Sequence, residues 1–134
     1  MSRVGRPDIV VDRPAGLVLV EVKSRIDKRD LAFFFEQLQG YLHATHAQAA
    51  YTLLVDASRM TFFRGTDPEQ SVWSEDTSSV LARYDPTLSE NPIFENYLAS
   101  LVQRWLNDLA LLSISELPEE TKTLPDDLRE LLAA

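Results

Sequence analysis

Cysteine is missing altogether from this 134-residue chain, and histidine occurs only twice. The first absence excludes a disulfide framework and a thiolate zinc site. The second leaves His43 and His46, spaced i, i+3 with no third ligand beside them. They read as a solvated helix end rather than a metal centre. No apolar run approaches the roughly 18 residues of a membrane span, and the N-terminus lacks a signal-peptide pattern, so a cytoplasmic location is expected. Internal repeats and low-complexity tracts are absent. So are a recognition helix and a zinc finger, which argues against site-specific base reading within this chain.

What remains is ordinary in bulk and uneven in detail. Apolar residues at 45% and charged residues at 25% fit one soluble globular domain over residues 1–134, long enough to bury a core. The net charge of -8 argues at first against nucleic acid, yet it is not evenly spread. Residues 1–64 hold nine Lys/Arg against seven Asp/Glu, whereas residues 65–134 hold four against fourteen. The first half is therefore the half able to meet a polyanion.

That half is organised around Pro7 to Lys23. Two Val/Ile/Leu-rich runs, about 6–12 and 17–24, flank Arg13-Pro14-Ala15-Gly16 and read as a β-hairpin. Closing the loop there pairs residues whose numbers total 29, so Asp12 faces Leu17, Val10 faces Leu19 and Asp8 faces Glu21. Residues two apart share a face. Asp8, Glu21 and Lys23 should then lie on one side of the sheet, the two carboxylates about 5 Å apart at Cβ. Such a pair repels, and a divalent cation relieves it: Mg²⁺ takes one or two carboxylates and completes its shell with water. Lys23 falls one side-chain spacing further on, placed to hold or deprotonate an attacking water. A solvated face on which Glu21 and Lys23 merely pair is the alternative.

Pro7-Asp8, twelve residues, then Glu21-Val22-Lys23 resembles the PD-(D/E)XK nuclease superfamily, with its restriction-endonuclease-like fold. Gln37-Leu38-Gln39-Gly40-Tyr41 is similar to the Q-x-x-x-Y element of its RecB-like branch, and Tyr51 to Arg64 to the closing strand-turn-strand of type I restriction subunits. The resemblance implies that Asp8 and Glu21 bind Mg²⁺ (or Mn²⁺ in its place), that Lys23 assists the water and that Gln37 reaches the site. The pattern departs from the family at the front, where only five residues precede Arg6. A helix and a strand usual there are absent, one sheet face lacks its cover, and the acidic residue such a helix often supplies is missing.

The second strand's Leu-Val-Leu-Val run predicts burial on both faces, hence an interior position. A helix over about 28–46 is expected, with Asp27 as N-cap and Asp30 at N3, and with Leu31, Phe34, Phe35, Leu38, Tyr41 and Leu42 as its apolar stripe. Gly40 within it suggests close packing. Strands over 50–56, parallel to the second, and 59–64, antiparallel, complete the expected α/β fold: a mixed four-stranded sheet with a crossover helix, core residues 6–64. Residues 65–74 read as a polar loop, then a short helix from Asp76 or Thr77 to about Tyr84. Asn91-Pro92 opens a long helix to about Leu112 with a broad apolar band from Ile93 and Phe94 to Leu112. Residues 113–124 read as a Pro/Glu/Thr linker, and 125–133 as a short acidic helix. The helical part, 75–134, is expected to cover the open sheet face.

These features together predict a Mg²⁺-dependent endonuclease acting on DNA. Asp8, Glu21, Lys23 and Gln37 form its site, and Arg6, Arg25, Lys28, Arg29 and Tyr41 meet the nucleic acid. The weak basicity implies that affinity for DNA is low unless a second copy or a partner subunit joins through the 92–112 helix. Two alternatives stay open: a non-catalytic accessory or assembly subunit of a restriction, repair or mobile-element system, and a structural homodimer.

Overall fold

The computed structural model describes residues 7–90, 94–112 and 114–133. Its frame is a mixed sheet of five strands, lying side by side in the order in which they occur in the chain. They are β1 (Ile9–Arg13), β2 (Gly16–Val22), β3 (Ala49–Val55), β4 (Arg59–Arg64) and β5 (Ser71–Asp76). Helix α1 (Leu31–Thr45) connects β2 to β3, which run parallel; every other neighbouring pair is antiparallel. The helices α2 (Thr77–Leu81), α3 (Glu95–Leu111), α4 (Glu119–Lys122) and α5 (Asp126–Ala133) follow the sheet. Among the described residues no helix is long and apolar enough to cross a membrane.

The hairpin register is the expected one: Ile9 pairs with Val20, Val10 with Leu19 and Asp12 with Leu17, leaving Pro14-Ala15 as the turn. Gly16 is required there by space, since a Cβ on it would meet the Ala50 Cβ at 2.8 Å. From Val18 to Val22 every residue of β2 is buried. The reason is a helix layer on each face. On one side Leu19 packs with Leu38 and Leu42, and Leu54 and Phe63 pack with Phe35, all three helical residues coming from α1. On the other, Val18, Val20 and Val22 join Leu98, Leu101, Val102 and Trp105 of α3 and Leu128, Leu131 and Leu132 of α5. The C-terminal helices thus cover the face expected to stand open.

Several expectations need correction. The sheet has a fifth strand, because part of the expected loop 65–74 pairs with β4, Phe62 opposite Trp73. The start of the expected helix is a 3-10 turn, Lys28–Asp30, with Asp27 at its N-cap position but making no side-chain cap bond, and Asp30 rather than Asp27 precedes α1. The Asp27 carboxylate instead takes Arg25 Nε at 3.1 Å and Arg29 at 3.8 Å, so local charge pairing outcompetes the capping geometry. Gly40 is exposed, with nothing within 4 Å of where a Cβ would stand. The long helix expected to open at Asn91-Pro92 starts at Glu95, with Phe94 as its N-cap; Asn91, Pro92 and Ile93 lie outside the described residues. Its apolar band is narrower than expected, as Phe94 and Tyr97 are exposed.

The supposed linker is part of the core. Leu117, Thr121 and Leu124 are buried. Thr121 Oγ1 accepts from Trp105 Nε1 at 3.1 Å, and Thr123 Oγ1 from Trp73 Nε1 at 2.7 Å. Two indoles stacked at 5.9 Å in an apolar interior need acceptors for their N–H groups, and this segment supplies them. The acidic helix α5 is docked too: Asp127 accepts from Tyr51 Oη at 2.6 Å, and Arg64 lies 3.4 Å from the same oxygen.

Candidate functional site

Extending the hairpin register by one step brings Asp8 opposite Glu21, just where the assigned strand β1 stops. Beyond Ile9 the side chains take over from the ladder. Val22 N donates to Asp8 Oδ2 at 2.7 Å, and Asp8 N donates to Glu21 Oε1 at 3.2 Å. Each carboxyl is thereby pinned by a backbone N–H of the opposite strand. The pair sits at a boundary: Glu21 is only 5% exposed, whereas Asp8 is exposed.

This placement changes the acid strength of Glu21. Burial first, then the hydrogen bond and charge of Asp8, raise its carboxyl from 4.5 to about 7, against the opposing pull of Lys23. Near neutral pH the pair is thus poised to hold either a proton or a cation. The thermodynamic consequence is direct. Between pH 4.5 and about 7 the folded chain binds the proton more tightly than the unfolded chain. Stability from this group is therefore present at low pH and lost as pH rises through that window. A shift of this size corresponds to roughly 3 kcal/mol. Urea titrations in EDTA at pH 5 and pH 8 should show wild type losing about that much relative to Glu21→Gln. Parallel curves for the two proteins would show that Glu21 is not strained in this way.

Lys23 continues the same face. Its backbone N–H donates to Val55 O at 2.9 Å, so the β2–β3 ladder fixes it in place. Its ammonium lies 5.9 Å from the centroid of the Phe34 ring, a cation–π contact that leaves the side chain half-buried and out of packed hydrocarbon. The backbone following it is tied down by Asp56, which accepts from Ile26 N at 2.9 Å while its other oxygen takes Ser58 N and Arg59 N.

Helix α1 runs back along β2, with Phe34 against Lys23 and Leu38 against Leu19. Glu21 lies between those two levels. Gln37, one turn beyond Phe34 on the same helix, is half-buried, and among the described residues its amide has no hydrogen-bond partner. The structure so brings Asp8, Glu21 and Lys23 together; among the described residues no hydrogen bond links Gln37 to them.

The other expected residues fare differently. Arg25, Lys28 and Arg29 are exposed in the segment that follows the site, with Arg25 and Arg29 both reaching Asp27. Tyr41 is half-buried, packed against the Leu19–Leu38–Leu42 cluster. Arg6 lies outside the described residues. His43 and His46 are exposed, as read from the sequence, and His46 ends α1 in a left-handed conformation.

One acidic residue at this corner was not foreseen. Glu95, in the first turn of α3, accepts from Ser24 N at 3.0 Å, so α3 begins beside the end of β2. The helix expected from the sequence over about 92–112 contains it, but only the packing of α3 on the sheet brings it here. It does not join the pair in a cluster: among the described residues no group of three or more His, Asp or Glu side chains could hold a metal ion. The donor set is therefore two carboxylates, the kind a hydrated Mg²⁺ accepts and a structural zinc site does not. No protein-family model, curated protein or solved structure matches the chain.

Proposed function

We propose that the chain is a Mg²⁺-dependent nuclease of restriction-endonuclease-like fold that hydrolyses phosphodiester bonds of DNA. The observation that supports this most is the cross-strand pair of Asp8 and Glu21, with Lys23 on the same face one spacing on. Asp8 and Glu21 would hold the ion, Mn²⁺ serving in place of Mg²⁺. When bound, that ion supplies a Lewis acid and lowers the pKa of coordinated water. Lys23 holds the attacking water, accepts its proton or offsets charge on the phosphate. Gln37, with its amide uncommitted, orients water or a phosphate oxygen. Arg25, Lys28 and Arg29 contact neighbouring phosphates.

A second reading has one observation in its favour. Both carboxyls already have backbone donors, and a shared proton would complete a purely structural clasp in a non-catalytic assembly subunit. The idea that such a subunit, or a second copy, binds through the 92–112 helix has less behind it. Leu98, Leu101, Val102, Trp105, Leu106 and Leu109 are all spent on the chain's own core. Calorimetric titration with Mn²⁺ separates the two readings. A nuclease should take up the ion with release of a proton near pH 7, and Asp8→Ala should abolish the heat. A wild type that binds no Mn²⁺ at pH 8 would leave the clasp and remove the nuclease.

A further inference from the structure

We propose that the end of β2 receives single-stranded DNA, with unpaired bases stacking on the exposed rings of Phe33 and Phe94. The inference rests on the nuclease reading for the position of the phosphate to be cut, but not for its test. The chain has six phenylalanines. Phe35, Phe62 and Phe63 are buried, and Phe34 is half-buried beneath Lys23. The two that remain, Phe33 at 57% and Phe94 at 78% exposure, both lie near the end of β2, one by way of Phe34 and Lys23 and the other beside Ser24.

Their placement comes from two different elements. The ring of Phe33 lies 6.0 Å from that of Phe34, which carries Lys23. Phe94 lines a shallow, open hollow of about 430 Å³ with Ser24, Glu95 and Asn96, the bond from Ser24 N to Glu95 joining two of its walls. One ring therefore arrives with the start of α1 on one face of the sheet, the other with the start of α3 on the opposite face, and the Lys23-Ser24 pair lies between. Tyr97, the remaining exposed aromatic, is committed through its hydroxyl to Asp85 at 2.6 Å.

Charge selects the occupant. Residues 23–29 carry Lys23, Arg25, Lys28 and Arg29 against Asp27, in a chain of net charge -8, and the Asp56 and Glu95 carboxylates that reach this segment are bound to the backbone N–H groups of Ile26 and Ser24. The Arg25 and Arg29 side chains stay 82% and 86% exposed despite that carboxylate. A strip of cations bracketed by bare aromatic rings complements a ligand that offers phosphates and open π-faces together. Duplex DNA keeps its bases stacked inward and offers only the phosphates.

Fluorescence anisotropy on the full chain tests this in EDTA and low salt, with a labelled oligothymidylate of about 20 nucleotides and a duplex of equal length. The single strand should bind at least about 10-fold more tightly, and Phe33→Ala and Phe94→Ala should each weaken it about 5- to 10-fold. Leu111→Ala, at an 80% exposed position on the other end of α3, should change nothing. Equal affinity for both substrates, no binding, or indifference to both phenylalanine changes would overturn the proposal. Because no divalent ion is present, its fate is separable from that of hydrolysis. Ring-dependent single-strand binding by a chain that never cleaves upholds it and sinks the nuclease; cleavage without ring dependence does the reverse.

Discussion

Lys23→Ala is expected to lower Mn²⁺- or Mg²⁺-supported cleavage of DNA by about 10²- to 10⁴-fold, the range for losing a positioned proton-transfer group. The fold should survive, since Lys23 is half-buried and its side chain meets the Phe34 ring and the charge of Glu21 rather than packed core. The backbone bond from Lys23 N to Val55 O does not depend on the side chain. Ion uptake should persist, because the donors proposed for it are Asp8 and Glu21. Three measurements separate the causes: cleavage rate, Mn²⁺ affinity and urea midpoint. If wild type and Lys23→Ala prove equally inert on single-stranded, duplex and branched DNA, the nuclease reading has no remaining support.

Trp105→Ala should cost about 3–5 kcal/mol. The indole is fully buried, packed on Phe62 at 6.3 Å and on Trp73 at 5.9 Å, and hydrogen-bonded to Thr121. Removing it opens a cavity between α3 and the sheet and strands the Thr121 hydroxyl, itself buried, without its donor. A domain of this size has only about 5–15 kcal/mol in reserve, so a large part of the population should unfold at moderate urea. Phe94→Ala on the same helix should move the urea midpoint little, because that ring is 78% exposed. A Trp105→Ala chain as stable as wild type would mean that α3 does not seal the sheet as described.

The hairpin was legible in the sequence because strand periodicity and turn chemistry each fix the same register. Pro14-Ala15 closes the turn, Gly16 starts the second strand, and a slip of one residue would turn the apolar face outward. Strand β5 was not legible: Ser71, Ser74 and Glu75 dilute Val72 and Trp73, and an edge strand paired on one side only can be that polar. The 113–124 segment misled for a related reason. Its Thr121 and Thr123 read as solvated, and their value as acceptors appears only once Trp105 and Trp73 have stacked. For the site, the sequence put Asp8, Glu21 and Lys23 on one face, but it could not say that Glu21 would be sealed and Asp8 open. Nor could it place Glu95, whose arrival beside Ser24 depends on packing between elements some seventy residues apart along the chain.

Because the strands lie side by side in the order of the chain, three of the four pairings join strands linked by short turns, and only β2 with β3 waits for a helix to cross over. Contacts between near neighbours form quickly and with little loss of chain entropy. The carboxyl pair belongs to the very first of these hairpins, whereas the apolar mass that holds the sheet rigid arrives with the last forty residues. Geometry of the carboxyl pair and durability of the molecule are thus encoded in different stretches of the chain. Sequence drift in the C-terminal third will chiefly set how much folded protein exists, while drift in the opening hairpin will set what that protein can do.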